Sequence, residues 1–257
     1  MRVTTSPPVY TLVTGPDMDK FFISSAQTPE RAERFLAVNA HVPGLMHSPG
    51  VDGSTLDINE MKEKGLVSDA CQFTREAIGS GLAHVALWGN VAQRGVPAHI
   101  FEDDAFLCRN FEQGSARIIA SLPDDWDIIL WGSNSDTPLQ FELLPGITQC
   151  VAMVSDESVR KGIHAFRDMD VTSVPLRLAQ TFGLCGYAIS PAGAMKLIKS
   201  CLPLATVNVS HPCLGGRVIA AHSIDILMNR HYAEMMAYTS FPPLCLTDNV
   251  RTNSPTP

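Results

Sequence analysis

The sequence predicts an α/β fold with a mostly parallel central sheet flanked by helices. Short apolar runs alternate with segments that begin with helix-capping residues, as in βαβ units. The 257 residues are 45% hydrophobic and 18% charged, enough to bury a core without disulfides. The apolar runs are far shorter than the about 18 residues that a membrane span needs. We predict a single domain over residues 20–240, with an N-terminal tail of residues 1–19 and an extended C-terminal tail of residues 241–257.

The predicted strands are apolar runs bounded by turn residues or helix signals. The run "WDIILWG" is the clearest, because a nearly continuous apolar stretch is typical of a strand buried on both faces. In chain order, the predicted strands are residues 20–24, 98–101, 126–132, 149–155 and 182–190.

Helices are predicted where a capping residue precedes a periodic apolar segment. Thr28 precedes Pro29, and Ser190 precedes Pro191, which puts proline at the first helical position in both cases. Thr74 begins the longest helix, whose interior glycines predict close packing against its backbone. The predicted helices are residues 28–41, 57–64, 74–95, 110–122, 190–203 and 223–238, and the predicted loops are residues 43–57, 132–148 and 203–222.

Composition narrows the functional classes. A formal net charge of -7 argues against nonspecific binding to nucleic acid. The seven cysteines are widely spaced and form no CxxC pair, which indicates reduced thiols rather than a disulfide framework or a zinc site. The N-terminus has no sustained apolar stretch of the kind found in signal peptides. We therefore expect a cytoplasmic protein.

The stretch "HIFEDDAF" carries the clearest chemical signal. Its acidic residues, Glu102, Asp103 and Asp104, follow directly on a predicted strand, and ligands of α/β sheets bind at the carboxyl ends of strands. A solvated turn would explain them, and so would a site for Mg²⁺ or Mn²⁺. Because residues two apart on an extended chain face the same side, Glu102 and Asp104 could share one ion while Asp103 points elsewhere.

Several segments together resemble glycosyltransferase family 25, which includes bacterial lipooligosaccharide β-galactosyltransferases and collagen galactosyltransferases. The resemblance extends over about residues 20–230, and the sequence departs from it at Ala83, where the family commonly has Ser before His84. The segments that carry it are "FFISSAQTPERAERFLAVN", "GVDG", "FTREAIGSGLAHVALW", "HIFEDDAF", "WDIILWGSN", "FGLCGYAISPAGAMKLI" and "HSIDILM".

The resemblance implies a GT-A type fold and a metal-dependent, inverting transfer of a sugar from a UDP-sugar, with galactose the commonest sugar. The acceptor would be a glycan such as lipooligosaccharide, met at the inner face of the cytoplasmic membrane if it is lipid-linked. Glu102, Asp104 and His222 are the candidate ligands for Mn²⁺ or Mg²⁺, and Asp225 and Asp103 are the candidate catalytic carboxylates. The candidate donor-binding residues are Arg31, Asn39, Asp52, Thr74, His84, Gly186 and Tyr187.

Each of these residues also has a structural explanation, as a helix cap, a satisfied core residue or a solvated charge. Two further functions stay open: a metal-dependent phosphohydrolase or nucleotidyltransferase that uses the same carboxylates, and a relative that binds a glycan or nucleotide without catalysis.

Overall fold

The computed structural model describes residues 18–248. The strands are β1 Asp19–Ser24, β2 Leu45–Pro49, β3 Ala98–Glu102, β4 Ala105–Leu107, β5 Ile128–Gly132, β6 Leu139–Leu144, β7 Thr148–Ala152, β8 Val174–Gln180, β9 Gly186–Ile189, β10 Asn208–His211, β11 Arg217–Ala220, β12 Ala237–Phe241 and β13 Cys245–Thr247. The helices are α1 Pro29–Val38, α2 Ile58–Glu63, α3 Arg75–Arg94, α4 Phe111–Ser121, α5 Asp156–Phe166, α6 Pro191–Cys201 and α7 Ile224–Met228.

The capping signals correctly mark where several helices begin. Thr74 accepts a hydrogen bond from the Ala77 backbone N–H at the start of α3, and Ser190 accepts one from Gly193 at the start of α6. Gly95, with a φ of 67°, ends α3 in the left-handed conformation that glycine adopts without strain.

Nine strands form the central sheet in the order β2-β1-β3-β9-β5-β12-β8-β6-β7. The expected mixture of α and β is confirmed, but the expectation of a mostly parallel sheet is wrong. Parallel pairing joins β1 to β2 and β3, and β5 to β12, whereas the other pairs are antiparallel. The physical reason is that β9 lies between β3 and β5 and is buried along its length. A continuous apolar run predicts a buried strand, but it does not indicate whether that strand is parallel or antiparallel to its neighbours.

Side chains alternate along the strands between two apolar cores. Ile128 and Leu130 of β5 pack against α3, α6 and α7 on one face. Ile129 and Trp131 pack on the other face against α1, α4 and α5. The helices therefore flank the sheet on both sides, and its strand ends stay open for a site.

Several boundaries differ from the predicted ones. The predicted helix over 223–238 ends at Met228, and the chain then enters a turn and strand β12. Three predicted loops contain β2, β6 and the hairpin β10–β11, and β8 and α5 had no predicted counterpart. The predicted tail of residues 1–19 lies almost entirely outside the described residues. Of the predicted tail 241–257, the described part includes β13, which pairs with β4.

Within residues 18–248, no helix is both long enough and apolar enough to cross a membrane.

A buried histidine gives the fold a predictable response to acid. His99 of β3 is 4% exposed, and its Nδ1 accepts a hydrogen bond from Trp131 Nε1 at 3.0 Å. Burial, with a smaller contribution from the Lys20 charge, lowers the pKa of His99 to about 3. Below pH 6.5, the ordinary pKa of histidine, His99 binds a proton in the unfolded chain but not in the folded chain. The free energy of unfolding therefore decreases as the pH is lowered.

We expect His99 protonation in the unfolded chain to lower the free energy of unfolding by roughly 2 kcal/mol between pH 6.5 and pH 5. One proton taken up per molecule on unfolding changes this free energy by about 1.4 kcal/mol per pH unit. Urea unfolding at pH 7 and pH 5 should show a smaller pH difference in His99→Gln than in the unmodified protein. His222→Gln, which replaces an exposed histidine, is the matched control and should leave the difference unchanged. Equal pH differences in all three proteins would contradict the prediction.

Candidate active site

A cleft of about 630 Å³ opens at the carboxyl ends of the parallel strands β1 and β3. Elements far apart in sequence meet there: the β1–α1 turn, the segment before α2, the first turns of α3, the β3–β4 turn and the start of α7. Among the predicted site residues, those that line the cleft are Arg31, Asp52, His84, Glu102, Asp103, Asp104 and Asp225.

Asp103 is held by residues of β1 and α1. Its Oδ1 accepts a hydrogen bond from Arg31 Nε at 2.9 Å and forms an ion pair with the same guanidinium group. Its Oδ2 accepts a hydrogen bond from Ser24 Oγ at 2.6 Å. The Asp103 carboxylate, 8% exposed, is thus compensated by one cation and one hydroxyl, which favours a positioning role over direct chemistry.

Asp104 is in the opposite situation. Its Oδ2 accepts a hydrogen bond from Thr247 Oγ1 at 2.9 Å, while its Oδ1 is buried with no hydrogen-bond partner among the described residues. Burial, followed by the negative charge of Glu102, raises the pKa of Asp104 to about 7. A buried carboxylate oxygen without a donor is costly, so Asp104 is poised to gain from a cation.

Glu102 lies beside a histidine whose proton position follows from its hydrogen bonds. Trp88 Nε1, which can only donate, donates to the buried Tyr187 hydroxyl at 2.9 Å. Among the described residues, His84 Nδ1, also 2.9 Å away, is the one acceptor within hydrogen-bond distance of the Tyr187 hydroxyl, so we assign the hydroxyl proton to that bond. A neutral His84 therefore carries its proton on Nε2, which lies 3.6 Å from Glu102 Oε1. In this state His84 offers the cleft a donor rather than a base or a metal ligand.

Asp225 reaches the cleft from the first turn of α7. Its Oδ2 accepts a hydrogen bond from the Gly183 backbone N–H at 2.9 Å, and its Oδ1 accepts one from the Ser223 hydroxyl. A carboxylate has about four acceptor positions, so Asp225 keeps room for a proton from a substrate hydroxyl.

The Asp52 segment is held against α3 by close backbone contacts. A Cβ at Gly79 would lie 2.3 Å from the Val51 carbonyl oxygen, and one at Gly53 would lie 1.9 Å from the Arg75 carbonyl oxygen. The expected close packing around the α3 glycines is therefore confirmed at Gly79. This contact sets the position of Asp52, which accepts hydrogen bonds from Ser54 and Gln27.

We expect Gly79→Ala to lower the free energy of unfolding by about 1–3 kcal/mol, because the methyl group must displace backbone. Gly89→Ala, in the same helix, is the matched control, since no atom of another part of residues 18–248 lies within 4 Å of its Cβ position. It should raise stability by up to about 1 kcal/mol, the helix-propensity difference. Urea unfolding of both variants tests the prediction, and effects of the same sign would contradict it.

The structure places five predicted site residues away from the cleft, each for a local reason. The Asn39 side chain bonds the backbone of Phe35, Ala105 and Leu107 in the core. Thr74 caps α3. The others are Gly186, against which the Phe101 ring packs, Tyr187, whose hydroxyl is used within the core, and His222, which is exposed.

Charge in the cleft is strongly negative. Both arginines of the cleft are already paired, Arg31 with Asp103 and Arg34 with Asp248. The acidic side chains that line it are Glu30, Asp52, Glu76, Glu102, Asp103, Asp104, Asp225 and Asp248. An anionic ligand such as a diphosphate would be repelled here unless a cation accompanied it.

The carboxylates of the cleft can hold a metal ion only together with other ligands. Within residues 18–248, no group of three or more His, Cys, Asp and Glu side chains is arranged to hold an ion by itself. Mg²⁺ and similar ions are commonly bound by one or two carboxylates together with substrate phosphates. A site of this kind, with one or two carboxylates and the phosphates of a substrate, fits Asp104 and Glu102. Asp104 Oδ1 has no hydrogen-bond partner among the described residues, and Glu102 lines the same cleft.

The family model described as "Glycosyltransferase family 25 (LPS biosynthesis protein)" matches residues 50–211, more than half of the chain. The chain belongs to glycosyltransferase family 25. It is therefore a glycosyltransferase of lipopolysaccharide biosynthesis by family, with a sugar donor and a glycan acceptor as its substrates. A search of curated proteins returned no match.

The family match covers α3, β3 with its acidic turn, and β9, but Arg31 and Asp225 lie outside it. The cleft also contains polar side chains that sequence reasoning missed, and they are Ser24, Gln27, Arg34, Glu76, Ser80, Asn134, Ser223 and Asp248. Ser24 and Gln27 could have been found, because Ser24 ends β1 and Gln27 follows it, and β1 neighbours β3 in the sheet. Ser80, one turn before Ala83 on α3, supplies a hydroxyl to the same cleft.

Proposed function

We propose that this family 25 chain is a metal-dependent, inverting transferase with a GT-A type fold that moves a sugar, galactose, from a UDP-sugar to a glycan. The observation that carries the proposal is the buried Asp104 Oδ1, which has no hydrogen-bond partner within residues 18–248 and lies beside Glu102 at the carboxyl end of β3. A cleft this negative suits a diphosphate that arrives with a divalent cation.

Glu102 and Asp104 would hold that ion, Mn²⁺ or Mg²⁺. It would neutralise the negative charge that develops on the diphosphate as the sugar–phosphate bond breaks. Asp103 is compensated by Arg31, so we assign it to positioning the β3–β4 turn and the Arg31 guanidinium group. His222 is left out of the proposed ligand set because it is exposed and does not line the cleft.

Asp225 is the proposed general base. Inversion requires that the acceptor hydroxyl attack from the face opposite the leaving diphosphate, so the base must come from another element than the acidic turn. Asp225 meets this condition because α7 approaches the cleft separately from β3. His84 Nε2–H and Asp52 are the proposed polar contacts to the donor.

The acceptor proposed from the family description is a glycan of lipooligosaccharide type. We propose that the protein works in the cytoplasm, at the inner face of the membrane when the acceptor is lipid-linked.

Thermal unfolding with UDP and Mn²⁺, added singly and together, tests the donor site. A nucleotide at 100 times its Kd stabilises the folded state by about 2.7 kcal/mol, which is a Tm rise of roughly 5–10 °C for this chain length. We expect that rise only with both additions, and we expect Glu102→Gln to abolish it. Asp69→Asn, which removes an exposed carboxylate outside the cleft, should behave like the unmodified protein.

A second measurement separates transfer from the other two functions. UDP-galactose consumption should depend on the acceptor glycan. Rapid hydrolysis without acceptor would favour a phosphohydrolase, and binding without any turnover would favour a non-catalytic relative.

A further inference from the structure

A second cavity, of about 470 Å³, opens at the carboxyl ends of β5 and β12. Its volume is in the range of small-molecule sites, which are typically apolar with a few polar groups on one side. Most of its surface is apolar, and the residues that provide that surface are Leu139, Ala152, Val154, Val159, Phe166, Met169, Val171, Phe241, Pro242, Pro243 and Leu246.

Sheet topology puts this cavity beside the cleft. Strands β3 and β5 are both antiparallel to β9, and β5 is parallel to β12, so β1, β3, β5 and β12 all run in one direction. Their carboxyl ends therefore lie along one edge of the sheet. The cleft is at the ends of β1 and β3, and the cavity is at the ends of β5 and β12. The centres of these two strand pairs are three strand spacings apart in the sheet, which is about 14 Å.

The wall between the two spaces is polar. Asn134 lines both of them, and Ser133, Ser135 and Thr137 of the same loop line the cavity. The rest of the cavity is mostly apolar, although Asp170, Thr172, Thr239 and Ser240 also line it. It reaches the surface through Val154 and Met169, which are 49% and 53% exposed. A ligand that spanned both spaces would need a reacting sugar at one end, a short hydroxyl-rich middle and an apolar group at the other end.

We propose that this cavity is an acceptor subsite that binds the apolar group of an amphiphilic acceptor, such as the alkyl or acyl chain of a glycolipid. The inference rests on the proposed transferase function and adds the chemical class of the acceptor.

Calorimetric titration of n-octyl β-D-glucoside against methyl β-D-glucoside, both below the micelle concentration of the octyl compound, tests the subsite. Each methylene that leaves water on binding contributes roughly fourfold in affinity. We expect the octyl glucoside to bind at least tenfold more tightly than the methyl glucoside. Equal affinities, or octyl binding that appears only with micelles, would overturn the proposal.

Two tryptophan substitutions should fill the cavity from its partly exposed rim. Ala152→Trp should remove the preference for the octyl glucoside, and Thr172→Trp provides the same test from the other side should the first variant not fold. Met153→Trp is the matched control, since Met153 adjoins Ala152, is 70% exposed and does not line the cavity. A preference that survives both cavity variants, or is lost in the control, would overturn the proposal.

Donor binding is measured separately on the same proteins by the UDP and Mn²⁺ thermal shift. A normal shift without octyl preference would leave the transferase proposal standing and remove the acceptor subsite. A preference for the octyl glucoside without any Tm shift with UDP and Mn²⁺ would show an apolar binding site but no donor site. The transferase proposal would then fail, and the assignment of the cavity to an acceptor would fail with it.

Discussion

Asp104→Asn should abolish sugar transfer and, in EDTA at pH 8, raise the Tm of the metal-free protein. The loss of activity, about 10²–10³-fold or more, follows from removing a charge that offsets the cation in the transition state. The gain in stability follows from burial, because Asn cannot ionise. Its side chain can still accept the Thr247 hydrogen bond that Asp104 accepts now.

The pH dependence has a definite sign. Since burial raises the folded-state pKa of Asp104 from 3.8 to about 7, the folded chain keeps a proton that the unfolded chain releases above pH 4. Stability is therefore lost as the pH rises from about 4 to 7 and stays lower above that range. Asp104→Asn should remove this loss, with little change in Tm at pH 4 and a higher Tm at pH 8.

Asp103→Asn is the control for the Asp104 result. It removes the carboxylate that forms an ion pair and a hydrogen bond with Arg31, and it should lower the Tm at both pH values because the partly buried guanidinium group loses this counter-ion. An Asp104→Asn protein that is less stable than the unmodified one at pH 8, or that keeps full activity, would contradict the assignment of the Asp104 carboxylate.

Asp225→Asn should lower kcat by about 10²–10⁴-fold, the usual contribution of a general base, without weakening donor binding. The Asn side-chain oxygen can still accept the Gly183 N–H bond, so the α7 end of the cleft should keep its shape. The expected signature is a normal Tm shift with UDP and Mn²⁺ together with very slow transfer.

Ser223→Ala is the matched variant for Asp225, because it removes the hydroxyl that donates to the Asp225 carboxylate while leaving the carboxylate itself. We expect a smaller loss, of about tenfold, because one hydrogen bond to the carboxylate is removed while the base itself remains. If Asp225→Asn and Ser223→Ala were equally slow, or if Asp225→Asn lost the UDP shift, Asp225 would be a donor-site residue rather than the base.

Helix ends and several strands could be predicted from short segments of the sequence. Thr74, Ser190 and Gly95 mark helix ends because capping depends on the residue and its near neighbours. The runs around β3, β5 and β9 are strands because no charge interrupts them. Strand direction could not be predicted, since β9 is buried along its whole length and a parallel and an antiparallel neighbour would bury the same side chains.

Some residues of the candidate site could be predicted from the sequence, and others could not. Glu102, Asp103 and Asp104 stand out in the sequence, because three adjacent carboxylates at the end of an apolar strand need a reason. The sequence could not show that Asn39 and Thr74 lie away from the cleft, because a polar side chain that serves nearby backbone looks the same in a sequence as one that serves a ligand.

The sequence by itself determined the kind of chemistry, since residue type decides which side chains can be charged and the family pattern identifies a glycosyltransferase. The tertiary structure alone decided how the carboxylates differ. Arg31 and Ser24 compensate Asp103, whereas Asp104 meets only the Thr247 hydroxyl and keeps one buried oxygen without a partner among the described residues. These partners lie some 70 to 140 positions away in the chain, and a carboxylate's ionisation depends on the charges and solvent around it in space.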